Sequence, residues 1–169
     1  MNKNLVLLIT LLMLNHATQA APYCPKTMSK TISSERYSLL NDGTEVLDKQ
    51  TKLIWRRCPL GKEWAATQCT GAGLFVPWQQ ALIAAKATNQ WRLPNVKEIE
   101  SLTEYACSPM LNDVFEAGSS RTSFWTSTPN IALANEVWVV DFNAYYGGIY
   151  TSSINQKNPF MVEIGRAHV

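Results

Sequence analysis

Short stretches of alternating apolar and polar residues dominate the chain from residue 37 onward. Residues 37–57 contain two such stretches, separated by the turn sequence Asn41-Asp42-Gly43 and followed by the apolar run Leu53-Ile54-Trp55. Because polar turns bound each stretch, the pattern predicts three short strands. Further strands are predicted at 124–127, 136–143, 146–152 and 160–162.

Two segments in the middle of the chain have the period of an α-helix. The first runs from Pro77 to Thr88, and the second from Asn95 to Tyr105, where Asn95 is a good N-cap and Glu98 completes a capping box. Their buried faces are predicted to consist of Trp78, Ala81, Leu82 and Ala85, and of Val96, Ile99, Leu102 and Ala106. The order of elements predicts an α+β fold in which two helices pack on short antiparallel strands.

The first twenty residues have the features of a signal peptide. Lys3 precedes the ten-residue apolar run Leu5–Leu14, and small residues follow as far as Ala20. Ten residues are too few for a helix to cross a bilayer core of ~30 Å. We therefore expect cleavage before Ala21 and export to the periplasm or the medium, with an uncleaved anchor as the alternative.

The last six residues, 164–169, have the sequence that read-through into a common short-read sequencing adapter would encode. We expect the natural sequence to be lost after about Val162, with a genuine tail as the alternative. The predicted organisation is a signal peptide over 1–20, an N-terminal segment over 21–36 that a disulfide ties down, and one domain over 37–163.

Composition narrows the chemistry of that domain. The 169-residue chain is 46% hydrophobic, enough for one globular core, and its net charge of +2 is too small to hold nucleic acid by a global positive field. Its two histidines, His16 and His168, both lie in the segments expected to be absent from the mature natural protein. Without histidine there is no Ser-His-Asp or Cys-His site and no His-ligated metal. We name no catalytic residue, no metal and no cofactor.

Four cysteines occur in the mature chain, an even number in a protein expected to be exported. Three disulfide pairings are possible. We predict Cys58–Cys69 and Cys24–Cys107, because the segment from Cys58 to Cys69 contains a proline and a glycine and resembles a surface loop. A zinc site made of four thiolates is the alternative, but its cysteines normally come in close pairs, and these do not.

Aromatic-rich motifs occur in a distinctive order along most of the domain. They are Asn41-Asp42-Gly43-Thr44, Asp48 with Thr51, Leu53-Ile54-Trp55, Trp78 with Ala81-Leu82, Trp91-Arg92-Leu93-Pro94-Asn95 with Lys97-Glu98, Phe124-Trp125-Thr126-Ser127, and Trp138 with Asp141-Phe142. In this order they resemble the Lcl C-terminal domain family of exported bacterial proteins, over roughly residues 37–162. The WRLPN sequence followed by KE is the specific part of the resemblance.

That resemblance implies a C-type-lectin-like fold and a binding role, because the family is named for the C-terminal domain of a collagen-like adhesin that binds sulfated glycosaminoglycans. This chain has no collagen-like stalk, and the arginine-bearing V-R-x-V-R strand that ends the family's domain is absent from it. In calcium-dependent lectins an acidic residue near the place of Asp141 acts with a carboxylate-bearing tripeptide. The chain has Thr128-Pro129-Asn130 instead, so we expect no calcium site.

Most motif residues are predicted to be architectural. Four tryptophans are expected in the core, where truncating Trp to Ala costs ~3–5 kcal/mol. They are Trp55, Trp91, Trp125 and Trp138. Arg92 and Glu98 should tie the strand-to-helix turn to the helix N-terminus. Leu93, Pro94, Asn95, Asp141 and Phe142 complete the structural set.

Ligand-binding residues are predicted in a tyrosine- and glycine-rich stretch near the end of the domain. Aromatic faces stack on sugar rings while polar side chains fix the orientation. We therefore favour Tyr145, Tyr146, Tyr150 and Lys157. The alternative is that the tyrosines form cross-strand pairs in a hairpin.

A run of basic residues without an intervening acid offers a second contact for a polyanion. It comprises Lys49, Lys52, Arg56, Arg57 and Lys62. Among these we name Arg56 and Arg57 as ligand candidates. The alternative is that the charges are simply solvated and split between the two faces of a strand.

Together these features predict an exported, non-catalytic recognition module for carbohydrate or sulfated polysaccharide at the cell surface, adhesin-like in role. The expected partner is a glycan or another cell-surface polymer, with no nucleic acid and no transmembrane segment after signal cleavage. Two alternatives stay open. One is an envelope enzyme of the formylglycine-generating type or a carboxylate glycosidase, and the other is a structural envelope component.

Overall fold

The computed structural model describes residues 25–87, 90–108, 110–115, 123–143, 148–155, 160 and 162, and the backbone of residues 165–167. This part of the chain contains nine strands and two α-helices. The strands are β1 (Tyr37–Leu40), β2 (Glu45–Asp48), β3 (Leu53–Arg56), β4 (Glu63–Ala65), β5 (Gln68–Thr70), β6 (Ser123–Pro129), β7 (Glu136–Asp141), β8 (Gly148–Ser153) and β9 (Gly165–Ala167). The helices are α1 (Trp78–Ala87) and α2 (Val96–Glu100).

The strands form three small antiparallel sheets. The first has the order β1-β2-β3-β9, the second is the hairpin β4-β5, and the third has the order β6-β7-β8. In the first sheet, Trp55 of β3 lies opposite Val46 of β2 and Gly165 of β9. The outer strand β9 thus falls in the segment expected to be of adapter origin.

The fold class predicted from the sequence is wrong. An α+β, C-type-lectin-like domain with two helices packed on strands is expected, whereas the described structure is mostly β-strand. Only α1, with ten residues, is longer than seven residues there, since α2 has five. The helical pattern after Asn95 continues in the sequence, but the chain leaves the helix at Ser101.

Tertiary hydrogen bonds replace the rest of the predicted second helix. The Glu104 N–H donates to the Met110 carbonyl, and the Met110 N–H donates to the Phe142 carbonyl. Thr103 also forms an isolated antiparallel bridge with Leu111. These backbone groups are therefore not available for the bonds of a longer helix, and the apolar period beyond Ser101 reflects buried turns.

The start of α2 does follow the prediction. The Asn95 side chain accepts a hydrogen bond from the Glu98 N–H (2.9 Å), and the Glu98 carboxylate accepts one from the Asn95 N–H (2.8 Å). This capping box satisfies two backbone donors that a helix leaves unpaired at its N-terminus.

The β6-β7-β8 sheet lies between two apolar clusters. Phe124 and Val140 pair across β6 and β7 and belong to a cluster that includes Trp55 of the first sheet. Trp125 and Val139 are the next cross-strand pair and belong to a second cluster, which includes α1. Because β7 is buried on both faces, its sequence is an apolar run and not a strict alternation.

The tryptophans confirm the core prediction only in part. Trp55 and Trp125 are fully buried, and the Trp125 indole N–H donates to the Val76 carbonyl at 2.8 Å. Trp91 and Trp138 are half-buried. The motif therefore supplies two core residues and two residues at the margin of the core.

The N-terminal segment is held against the domain by Glu104. This fully buried carboxylate accepts four hydrogen bonds, from the Thr31 N–H and hydroxyl (both 2.8 Å), the Ile32 N–H (2.9 Å) and the Ala106 N–H (3.0 Å). Burial alone would raise its pKa, but the bonds from Thr31, Ala106 and Ile32 hold the pKa of Glu104 below its ordinary value.

The predicted Cys58–Cys69 disulfide is present, with the two Cα atoms 5.7 Å apart. Cys107 is also disulfide-bonded. Cys24, its predicted partner, lies outside the described residues.

Candidate functional site

A shallow polar cleft lies between the end of β3 and the β4-β5 hairpin. It consists of two adjoining hollows of about 270 and 210 Å³ that share Arg56, Lys62 and Glu63. We call it the basic cleft. Its walls are formed by Thr44, Arg56, Cys58, Gly61, Lys62, Glu63, Trp64, Thr70 and Gly71.

A disulfide and a glycine shape the basic cleft. Cys58 lies just beyond β3 and Cys69 lies in the middle of β5, so their bond ties the hairpin to the first sheet. Gly61 has φ +89°, and a Cβ atom there would lie 2.7 Å from the Leu74 nitrogen. Any other residue would be both strained and crowded at this position. The glycine thereby sets the course of the chain at Lys62.

Arg57 contacts Trp64, one of the residues that line the cleft. Its guanidinium carbon lies 3.4 Å from the centroid of the Trp64 ring, and its Nε–H donates to the Val114 carbonyl at 2.9 Å. A cation over an aromatic face is attracted by the ring quadrupole, so this stack orients Trp64. Of the two predicted ligand-binding arginines, Arg56 lines the cleft, whereas the described contacts of Arg57 are structural.

Arg56 and Lys62 bring positive charge to the cleft, and neither takes part in an ion pair within the described residues. Lys62 is only 9% exposed, so most of its stem is buried while its side chain lines the wall. Glu63 lines both hollows, and Glu45 lies opposite Arg56 across β2 and β3. The cleft therefore presents cationic donors next to a carboxylate acceptor.

The rest of the predicted basic run lies at the other end of β3. Lys49 and Lys52 are exposed in the turn between β2 and β3. The buried Asp48 carboxylate organises that turn, accepting hydrogen bonds from the Arg36 Nε–H (2.8 Å) and the Thr51 hydroxyl (2.7 Å). Burial opposes ionisation of Asp48, but these bonds keep its pKa below the ordinary value. The basic run is thus divided between two ends of one strand.

The WRLPN turn is joined to α2 and to β6 by hydrogen bonds. Arg92 and Glu98 form two parallel hydrogen bonds, Nη1 to Oε2 at 2.7 Å and Nη2 to Oε1 at 2.6 Å. The bond to Glu98 raises the pKa of Arg92; burial opposes ionisation of Glu98, but Arg92 and the Asn95 N–H hold the pKa of Glu98 below its ordinary value. The Pro94 carbonyl accepts from the Ser127 N–H at 2.7 Å, which fastens the turn to β6.

These motifs agree with what comparison with known proteins finds. The family model of the Lcl C-terminal domain matches residues 44–164. The chain belongs to that family. No curated relative and no solved structure matches the chain. The matched range contains the whole basic cleft and the WRLPN turn.

Only one of the predicted ligand residues in the tyrosine-rich stretch of this Lcl C-terminal domain lies among the described residues. Tyr150 is half-buried on β8, and its ring packs edge-on against Phe160 with the ring centroids 6.1 Å apart. Burial raises its pKa, a hydrogen bond with Ser123 opposes that rise, and the Asp141 charge adds to it. Its described contacts are therefore those of a packing residue. Tyr145, Tyr146 and Lys157 lie outside the described residues.

Among the described residues, no group of three or more His, Cys, Asp or Glu side chains comes together to hold a metal ion. None of the helices described there is long and apolar enough to cross a bilayer. Asp141, the motif acid, accepts a hydrogen bond from the Asn143 N–H at 2.9 Å.

A second cleft, of about 320 Å³, lies between the chain that follows α2 and the adjoining ends of β7 and β8. We call it the Tyr105 cleft. Its lining residues are Glu100, Thr103, Tyr105, Met110, Val140, Asp141, Gly148 and Ile149. Apolar side chains, two carboxylates, a hydroxyl and a phenol line it together.

Sequence reasoning missed Trp64, Glu63 and the whole Tyr105 cleft. Trp64 lies within a loop closed by a short disulfide, where a large aromatic ring has little access to the core, so its position was a usable signal. Tyr105 gave no such signal. The sequence predicts it as the last residue of the second helix, whereas in the structure it lies in an irregular loop after α2.

Proposed function

We propose that this Lcl C-terminal domain is an exported, non-catalytic recognition module that binds an acidic polysaccharide in the basic cleft. The observation that supports this most directly is the placement of Arg56 and Lys62 in one cleft, without carboxylate partners among the described residues. Sulfate or carboxylate groups would accept charge-assisted hydrogen bonds from both, and such bonds are about twice as strong as neutral ones.

The polar groups beside these cations favour a sugar polymer over a simple anion. Thr44 and Thr70 bring hydroxyl groups, and Glu63 brings an acceptor for sugar hydroxyls. A shallow groove that runs over two adjoining hollows also suits successive units of a chain. The nearly neutral protein has no strong general field, so affinity has to come from these local contacts.

Export and a non-catalytic role are parts of the same proposal. The Cys58–Cys69 disulfide is typical of a protein outside the cytoplasm. All cysteines among the described residues are disulfide-bonded, which favours recognition over the thiol chemistry of a formylglycine-generating enzyme. The resemblance of the family to an adhesin domain agrees with a surface role.

The test is binding of a sulfated polysaccharide, such as heparin, to the mature protein by calorimetry. Arg56→Gln and Lys62→Gln should each weaken binding roughly tenfold, because each removes a charged hydrogen-bond donor. Lys52→Gln is the matched control: it removes the same charge from the same basic run outside the cleft, and should change affinity less than about twofold. Glu63→Gln should strengthen binding of the polyanion.

Salt and chelator supply two further arms of that test. Binding should weaken between 0.1 and 1 M salt, as the screening length falls from about 10 to about 3 Å. A chelator should leave it unchanged. Equal losses for Lys52→Gln and Arg56→Gln, or abolition by the chelator, would contradict the proposal.

A further inference from the structure

The Tyr105 cleft contains an aromatic side chain that the fold presents to solvent. Tyr105 is 62% exposed, although Glu104 before it and Ala106 after it are 0% and 4% exposed. The four hydrogen bonds to the Glu104 carboxylate, one of them from the Ala106 N–H, fix the backbone on both sides of Tyr105. The ring therefore lies on a rigid support while contributing little to the core.

The apolar lining of the cleft, which we call its floor, combines the core residue Val140 with Ile149, which is 36% exposed. Val140 is 2% exposed, and Ile149 lies opposite it across β7 and β8. Met110 is fastened to this sheet by its N–H bond to the Phe142 carbonyl at 2.6 Å. A volume of about 320 Å³ is at the lower end of the range for ligand pockets. That volume suits a small ring and not a long side chain or a helix.

The two carboxylates that line the cleft are hydrogen-bond acceptors whose charge is already partly compensated. Glu100 is paired with Lys97 at 3.0 Å, and Asp141 accepts the Asn143 N–H. Thr103 adds a hydroxyl. A carboxylate has two oxygens and can accept from neighbouring hydroxyls of one ligand. It also repels sulfate or carboxylate groups.

We propose that the Tyr105 cleft is a separate binding site for a neutral pyranose unit. The sugar ring stacks on Tyr105 above the apolar floor, and its hydroxyls donate to Asp141 and Glu100. The site is independent of the basic cleft and selects the opposite class of sugar, because its carboxylates disfavour the acidic units that Arg56 and Lys62 attract. The two sites would let one domain contact a polymer of mixed composition, or two polymers.

The experiment titrates the mature protein with neutral oligosaccharides (cello-, malto- and N-acetylchito-tetraose) by calorimetry and saturation-transfer NMR. At least one series should bind, with less than about a twofold change in Kd between low and high salt, since the ligand is uncharged. Tyr105→Ala should weaken binding roughly tenfold, whereas Tyr105→Phe, which keeps the ring, should stay within about threefold.

Two further variants and a heparin control distinguish loss of the site from loss of folding. Asp141→Asn keeps the shape but weakens an acceptor, and should also lower affinity. Ile83→Ala is the matched control: Ile83 is 69% exposed on α1 and does not line the cleft, so its loss should have no effect. Heparin binding should survive Tyr105→Ala, which separates failure of this site from failure of the basic cleft.

Three results would overturn the proposal. They are no binding of any neutral series, binding indifferent to both Tyr105→Ala and Asp141→Asn, and binding of a neutral series that weakens about tenfold or more between low and high salt.

Discussion

The basic cleft and the Tyr105 cleft are held in shape by different forces. The basic cleft rests on a two-stranded hairpin whose residues are mostly exposed, and a disulfide fixes its base. A two-stranded hairpin is only marginally stable in water by itself. The Tyr105 cleft rests on β7, which is buried on both faces, and on the buried Glu104. One cleft thus depends on a covalent crosslink, and the other on core packing and a buried carboxylate.

The largest expected effect comes from the buried carboxylate. Glu104→Ala leaves the buried N–H groups of Ile32 and Ala106 without their acceptor and also removes two hydrogen bonds from Thr31, so it should cost about 3–4 kcal/mol of unfolding free energy. Urea unfolding measures the loss. Glu63→Ala, an exposed acid in the other cleft, is the control and should cost below about 0.5 kcal/mol. A loss under about 1 kcal/mol for Glu104→Ala would mean that the N-terminal segment is not held as described.

The double substitution Cys58→Ser and Cys69→Ser should come next. It removes a crosslink that closes a loop of about 12 residues, which the chain-entropy model values at about 3 kcal/mol. Heparin binding should weaken because the hairpin is no longer tied to the first sheet. Binding of neutral sugar at the Tyr105 cleft should persist. Substitution is preferable to a reductant here, because Cys107 is disulfide-bonded too. Unchanged heparin binding would show that the hairpin keeps its place without the crosslink.

Acid should destabilise the fold by protonating three carboxylates that accept hydrogen bonds in it. Asp48, Glu98 and Glu104 all have pKa values lowered by hydrogen bonds in the folded protein. Their contribution is therefore complete above the unfolded values, 3.8 for Asp and 4.5 for Glu, and is lost as the pH falls through the lower folded values. Stability measured from pH 7 to pH 2 should fall below about pH 4.5. Glu104→Gln should flatten this decline, and an unchanged profile would contradict the assignment.

The smallest expected effect is at the WRLPN turn. The Arg92 side chain is 47% exposed, so Arg92→Ala should cost only about 1 kcal/mol despite the paired hydrogen bonds. Thermal unfolding with and without salt measures it, and Lys97→Ala, in a more exposed pair, should cost less. A cost above about 3 kcal/mol would indicate a deeper structural role for the pair than its exposure suggests.

Local patterns in the sequence predict the local structure well here. The capping box at Asn95, the first helix, the Arg92–Glu98 pair and the Cys58–Cys69 bond all depend on residues close together in the chain. The predicted length of the second helix was wrong because Glu104 and Met110 form backbone hydrogen bonds with residues outside the helix. The 3.6-residue period of the sequence does not reveal such bonds. For the same reason the Tyr105 cleft could not be predicted, since its walls come from segments about forty residues apart in the chain.

The cations of the basic cleft could be predicted from the sequence, but their arrangement in space could not. Arg56 and Lys62 stand out as cations in a run without acids, but their separation from Lys49 and Lys52 depends on the turn that Asp48 organises. The role of Arg57 depends on its contact with Trp64 and is visible only in three dimensions.

Amide chemical-shift mapping of the ¹⁵N-labelled mature protein tests the central claim, that acidic polysaccharide binds in the basic cleft, most directly. A heparin-derived oligosaccharide should shift the resonances of residues 56–71, and leave those of 100–110 and 148–149 unchanged. A bound neutral oligosaccharide should do the reverse. If heparin fragments shift the residues around Tyr105, or leave Arg56, Lys62 and Glu63 unperturbed at saturation, the assignment of the basic cleft is contradicted.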